Sequence, residues 1–193
     1  MNIFYIDSDP KKCAEWAVDK HVTKMILESA QLLSTAHRVL DGIEHHVPKP
    51  LSNGKWRTKK HWILLDEREE LLYSATHVNH PSSVWTRESN NNYNWLWHYL
   101  YEHCKEYTHR YGKSHKVERD NILAELSIIP NNIPIRPFTQ PPQAMPDEYK
   151  GSDTVEAYRK YYKYGKAHLH SWKNREVPFW ILENKCPTQS TSS

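Results

Sequence analysis

Glu28 is the residue in this chain best placed, by type and spacing, to do chemistry. It follows Asp19-Lys20-His21 by a short interval and is the one acid on the polar side of a helical pattern. At about 100° per residue, Lys20, Lys24, Glu28, Gln31, Thr35 and Arg38 fall within roughly 80° of one another. Val22, Met25, Ile26, Leu32, Leu33, Ala36, Val39 and Leu40 make the opposite, apolar side. A carboxylate framed by cations suits proton transfer on an anionic substrate: the acid-base step is worth about 10²–10⁴ in rate, and Lys or Arg neutralises phosphate. The same spacing also suits an ordinary solvated face, since Glu28 lies four residues after Lys24 and can pair with it.

A second group is Tyr158, Tyr161, Tyr162 and Tyr164, interleaved with Lys160, Lys163 and Lys166. Aromatics alternating with cations suit base stacking and phosphate contact; a tyrosine seam packed on a core fits equally well. Thirteen histidines raise a metal reading. His77-x-x-His80 with His21, His37 or His115 could converge on zinc or iron, but no His-Glu-x-x-His pattern is present. His45-His46 falls in an expected loop, and His168 and His170 face different ways on a helix. The five glycines form no phosphate loop.

The elements that must position these groups are mostly helical. Asn2–Ile6 is a short apolar arm. Ser8-Asp9-Pro10 starts a helix that runs, with a bend near Asp19, to Leu40, where Asp41-Gly42 stops it. Residues 42 to 60 read as a loop with a positive edge at Lys55, Arg57, Lys59 and Lys60. A short helix is expected over Trp62–Tyr73 and a turn at His77–Pro81, with Ser82-Ser83 available to cap the next short helix. Ser89 caps the most regular helix, in which Tyr93, Leu96, Trp97, Leu100, Cys104, Tyr107 and Tyr111 keep the 3-4 spacing, and Gly112 ends it. Ser114–Leu126 reads as another helix. Residues 130 to 146 hold six of twelve prolines and read as an extended connection. Asp153-x-x-Glu156 opens a last helix towards Trp172. The expected fold class is mainly α, a single compact helical domain over residues 1–186 with a long Pro-rich connection and a disordered tail at 187–193.

Composition limits the function classes. A chain of 193 residues with 25% charged and 38% hydrophobic residues suffices for one domain with a sizeable core. Twelve Tyr and eight Trp against three Phe favour aromatics with a polar handle. The net charge of +3 and isoelectric point near 8.6 are mildly basic, compatible with a phosphate-rich partner. Cys13, Cys104 and Cys186 are odd in number and widely spaced, as in a reducing, cytoplasmic setting without disulfides. No stretch approaches 18 apolar residues and no signal segment opens the chain, so no membrane association is expected.

Three segments, in order, resemble the phage pyrimidine-dimer DNA glycosylase family, the T4-type endonuclease V enzymes. Asp19-x-His21 with Glu28 is similar to that family's helix bearing the catalytic glutamate. Met145-Pro146-Asp147-Glu148-Tyr149-Lys150-Gly151 resembles its proline-acidic-aromatic-basic-glycine turn, and Tyr161-Tyr162-Lys163-Tyr164-Gly165-Lys166-Ala167 its C-terminal aromatic-lysine segment. Glu102-x-Cys104 to Arg110-Tyr111-Gly112 is a looser match to a central helix. The likeness spans about a third of the chain and requires insertions at 42–60 and 127–144. The chain also resembles a group of phage-encoded proteins with Asp-Lys-His near the start, a likeness that implies a host-cell cytoplasmic setting but no activity.

The glycosylase resemblance implies excision of a damaged or modified pyrimidine from DNA by base flipping, without a cofactor. An N-terminal amine attacks the sugar, a Schiff base forms, and strand cleavage (AP-lyase activity) can follow. An α-amine suits that role, because its neutral fraction near pH 7 exceeds that of a lysine roughly 400-fold. Glu28 is then the catalytic acid and base, and Met1 or Asn2 supplies the amine. Lys20, His21, Lys24 and Arg38, with Tyr161, Tyr162, Lys163, Tyr164 and Lys166, are the expected nucleic-acid contacts. The chain departs from the family at its start: Asn2 follows Met1, whereas methionine removal normally requires a smaller second residue. Two other classes remain open, a non-catalytic nucleic-acid or nucleotide-binding protein on the same scaffold and a His-rich metal-dependent hydrolase.

Overall fold

The computed structural model describes residues 1–50 and 52–183. Ile3, Phe4, Tyr5 and Ile6 are each 4% exposed or less, so the first residues are part of the core. Asp9 accepts a hydrogen bond from the Lys11 N–H at 2.9 Å and Pro10 follows, which starts α1 (Pro10–Glu15) where the sequence predicts it. The expected bend near Asp19 is a full break, and α2 (Asp19–Asp41) begins afresh. Val18 is extended and gives its N–H to the Tyr162 hydroxyl. Asp19 is pinned by Arg110 at 2.9 Å, the Ser171 hydroxyl at 2.5 Å and the Lys173 N–H at 2.9 Å. Burial alone would raise the Asp19 carboxyl; those three donors hold it below its ordinary value. Gly42 ends α2 with an ordinary negative φ, and glycine is needed because a Cβ would lie 2.4 Å from the Arg38 carbonyl oxygen.

Residues 42–60 are not a loop. β1 (Ile43–Pro50) and β2 (Trp56–Ile63) form an antiparallel pair with Ile43 opposite Ile63 and Pro50 opposite Trp56. The protein is mainly helical but not purely α. The strands escape a sequence reading because all eight β1 residues are exposed, so neither face shows the alternation that marks a half-buried strand. Trp62 and Ile63 belong to β2, which shortens the helix expected over Trp62–Tyr73 to α3 (Arg68–Leu71).

α4 (Pro81–Glu88) follows the expected turn, but its cap is the His80 ring, which accepts from the Ser82 N–H at 3.2 Å. In α5 (Asn90–Tyr111), Ser89 Oγ accepts from the Asn91 N–H at 3.1 Å and Gly112, at φ +67°, terminates the helix. Asn121 at φ +60° divides the next predicted helix into α6 (Lys116–Arg119) and α7 (Ile122–Glu125). The Pro-rich connection is extended and tied down: Asn92 accepts from the Thr139 N–H, and Asp41 accepts from the N–H groups of Asn131 and Asn132. Asp153 accepts from the Glu156 N–H at 2.8 Å to start α8 (Thr154–Lys160). A π-helical turn over Tyr161–Gly165 and a 3₁₀ turn over Ala167–Leu169 replace the rest of that predicted helix, and α9 (Phe179–Leu182) follows. α2 packs on α5, and side chains from the N-terminal arm, α8 and the π-turn complete the core. Cys186 and the expected tail at 187–193 lie outside the described residues.

Candidate active site

Glu28 lies on the open stretch of α2, with its side chain only 14% exposed. Its Oε2 accepts a hydrogen bond from the Asn2 backbone N–H at 3.1 Å, across 26 residues of sequence. Lys24 Nζ is 3.3 Å from the other oxygen. Asn2 itself is locked in place. Its side-chain amide donates to the Ala144 carbonyl at 2.9 Å, and its oxygen accepts from the Ile3 N–H at 2.8 Å and the Tyr158 hydroxyl at 2.7 Å. The α2 carboxylate, the chain's first residues, the end of the Pro-rich connection and α8 therefore meet at one point.

Histidines border the same point. His80 feels the N-terminal ammonium, His77 and Glu28. Burial lowers its pKa most, the ammonium and His77 lower it further, and Glu28 opposes them. His80 is thus a weaker base than a free imidazole, with its Nδ1 taken by the Ser82 N–H. The only sequence signal for it was His77-x-x-His80, read as a metal pattern. Among the described residues, no three His, Cys, Asp or Glu side chains are grouped so as to hold a metal ion. His37 instead bonds the Tyr93 hydroxyl at 2.8 Å and Arg68, and His115 caps α6.

One turn before Lys24, His21 is buried and stacked on Phe4 at 4.1 Å between ring centroids. Its Nδ1 is 2.7 Å from the Tyr162 hydroxyl, which already accepts from the Val18 N–H. Burial first, and then Lys24 and Lys166, push the His21 pKa down to about 3. His21 and Tyr162 are consequently neutral internal groups that seat Phe4 beneath the site, and not the direct phosphate and base contacts expected of them.

Tyr161 and Lys166 remain on this side of the molecule. The Tyr161 ring lies 6.4 Å from Phe4 and 5.0 Å from Tyr149, with Lys166 Nζ 4.9 Å above it. The π-turn makes this arrangement possible: a Cβ on Gly165 would lie 2.5 Å from the Tyr161 ring and 3.2 Å from Tyr149. Two of the resembling segments, around Tyr149 and Tyr161, are thus in contact beside the arm that reaches Glu28.

Other expected contacts are elsewhere. Arg38 is 2% exposed, and its guanidinium is spent on the carbonyls of Tyr73, Trp62, Glu69 and Leu72 and on the Glu69 carboxylate at 2.5 Å. It ties residues 62–73 onto α2 and faces no solvent. Thr35 is buried under Thr76 in the same way. Only the first half of the predicted polar face is open, and it carries exposed Lys20 and Lys24. Lys163 and Tyr164 line a separate cavity of about 310 Å³ with Arg159, Lys160 and Trp180. Lys163 there donates to the Glu183 carbonyl. Among the described residues, no helix is long and apolar enough to cross a membrane. No family model matches the chain, and neither a curated protein nor a solved structure is found to be similar to it.

Proposed function

We propose that the protein is a DNA glycosylase acting on a damaged or modified pyrimidine, with an amine at the start of the chain as nucleophile and Glu28 as acid and base. The observation that carries this reading is the 3.1 Å contact between the Asn2 nitrogen and Glu28 Oε2. In the chain that begins at Met1, that nitrogen is a peptide N–H and cannot attack. Once Met1 is removed it is the α-amine, already within proton-transfer distance of the carboxylate. The amine lone pair then bonds to C1′ of a flipped nucleotide, the C1′–N bond breaks, and the base leaves with the bonding pair. Glu28 takes the proton the amine releases and returns it as the sugar ring opens to an iminium. Lys24, exposed Lys20 and Lys166 supply cations for the flanking phosphates, and Tyr161 offers a face for stacking.

Two preparations test the proposal: the chain beginning at Met1, and a chain processed from a cleavable fusion so that Asn2 is first. Incubated with abasic duplex and borohydride, the Asn2-first chain should form a covalent protein–DNA adduct and the Met1 chain at least tenfold less. On duplexes bearing pyrimidine dimers, uracil or hypermodified pyrimidines, Glu28→Gln should lower base release about 10²–10⁴-fold. If neither preparation forms an adduct and neither releases any of these bases, the reading is wrong.

A further inference from the structure

The ribbon of β1 and β2 is strongly and one-sidedly charged. Residues 43–63 contain Lys49, Lys55, Arg57, Lys59 and Lys60 against the single acid Glu44, a net charge of +4. The whole chain carries +3, so everything outside the ribbon sums to −1. All eight β1 residues are exposed, as are Trp56, Arg57, Thr58 and Lys60 on β2; among the described side chains of β2, only the last three are wholly or partly covered. Apart from Trp62, buried at its base, the ribbon has no apolar face holding it down, an arrangement of marginal stability by itself.

The pairing register sorts its side chains into two faces. On one, Glu44 is 2.9 Å from both Lys60 and His46 and neutralises part of the charge. On the other, Lys49 lies directly opposite Arg57 and His45 opposite His61, and no acid shares that face. Like charges directly opposite across a strand pair are destabilising unless a counter-charge is supplied. Pro48 and Pro50 remove backbone donors from β1, which disfavours a second copy adding a strand there. A two-stranded ribbon of eight residues is about 26 Å long and narrow enough for a DNA major groove about 12 Å wide.

We infer that the 43–63 ribbon is a duplex-DNA-binding arm that lies along the major groove, with Lys49 and Arg57 on the phosphates and Trp56, 70% exposed, at its outer end. The inference shares with the proposed function the identity of the partner but does not depend on Glu28 or on any amine. It places most of the affinity in a sequence-independent arm remote from the chemistry.

The test is fluorescence anisotropy with an undamaged 20-base-pair duplex, the matching single strand and a double-stranded RNA, over a range of salt. The wild-type chain should prefer the DNA duplex. A Lys49→Gln/Lys55→Gln/Arg57→Gln/Lys60→Gln variant should bind at least tenfold more weakly, with the slope of log affinity against log salt reduced by roughly 0.9 per lost phosphate contact. Amide hydrogen exchange in residues 43–63 of the unaltered chain should slow when duplex is added, a readout independent of how the variant folds. Unchanged affinity and slope in the variant, no duplex binding by the wild type, preference for the single strand or RNA, or no slowing of exchange would each overturn the arm. Duplex binding through the ribbon without adduct or base release would sink the glycosylase proposal and leave the arm standing.

Discussion

Arg38 and Glu28 sit ten residues apart on one helix face and have opposite fates. The Glu28 carboxylate meets the Asn2 N–H and Lys24, whereas Arg38 disappears under residues 62–73. Removing a buried guanidinium strands four carbonyls and leaves the Glu69 carboxylate only the Leu64 N–H, so Arg38→Ala should cost about 3 kcal/mol in urea unfolding. A variant that keeps its stability but loses DNA affinity would show instead that Arg38 reaches a ligand. The buried histidines make a second prediction at this scale. Burial chiefly lowers the pKa of His21 to about 3 and those of His37 and His103 to about 4. These folded values lie below the unfolded value of about 6.5, so the unfolded chain binds more protons between them and stability falls as pH drops from about 6.5. Each ring should cost on the order of 2 kcal/mol at pH 5. Urea midpoints that stay level from pH 7.5 to 5 would show that these rings are not held neutral.

At the scale of elements, caps and periodicity were legible and irregular turns were not. Asp9 with Pro10, Ser89 with Gly112, and Asp153 all start or stop helices where their types require. The π-turn could not be read, because Tyr158, Tyr161 or Tyr162, and Gly165 fit an uninterrupted helix as well. The extra residue per turn is what carries Lys163 and Tyr164 away from Tyr161 and Lys166. Its weak point is Gly165, whose missing Cβ leaves room for the Tyr161 ring. Gly165→Ala should force that ring off Tyr149 and cost about 1–3 kcal/mol by overpacking. Wild-type stability together with wild-type DNA affinity in this variant would mean the turn tolerates the methyl group and the tyrosine pair does not bind DNA.

For the molecule as a whole, the core is built without the ribbon. α2, α5, the N-terminal arm and the 144–166 segment supply it, while β1 buries nothing. Replacing residues 45–60 by a short Gly-Ser link should therefore shift the thermal midpoint by less than about 4 °C, the equivalent of about 1 kcal/mol in a chain of this size. A larger drop would make the ribbon part of the fold. By itself the sequence determined the helical class, the helix boundaries with good caps, and Glu28 as the acid in a cationic stretch, because these depend on residues within a few turns of one another. Only tertiary structure decided that Asn2 meets that acid, that His21 and Tyr162 are internal, that Arg38 is covered and that 43–63 is a ribbon. The spacing of side chains along a helix says which of them share a face; what covers that face is set by segments that return from 26 to more than 130 residues away.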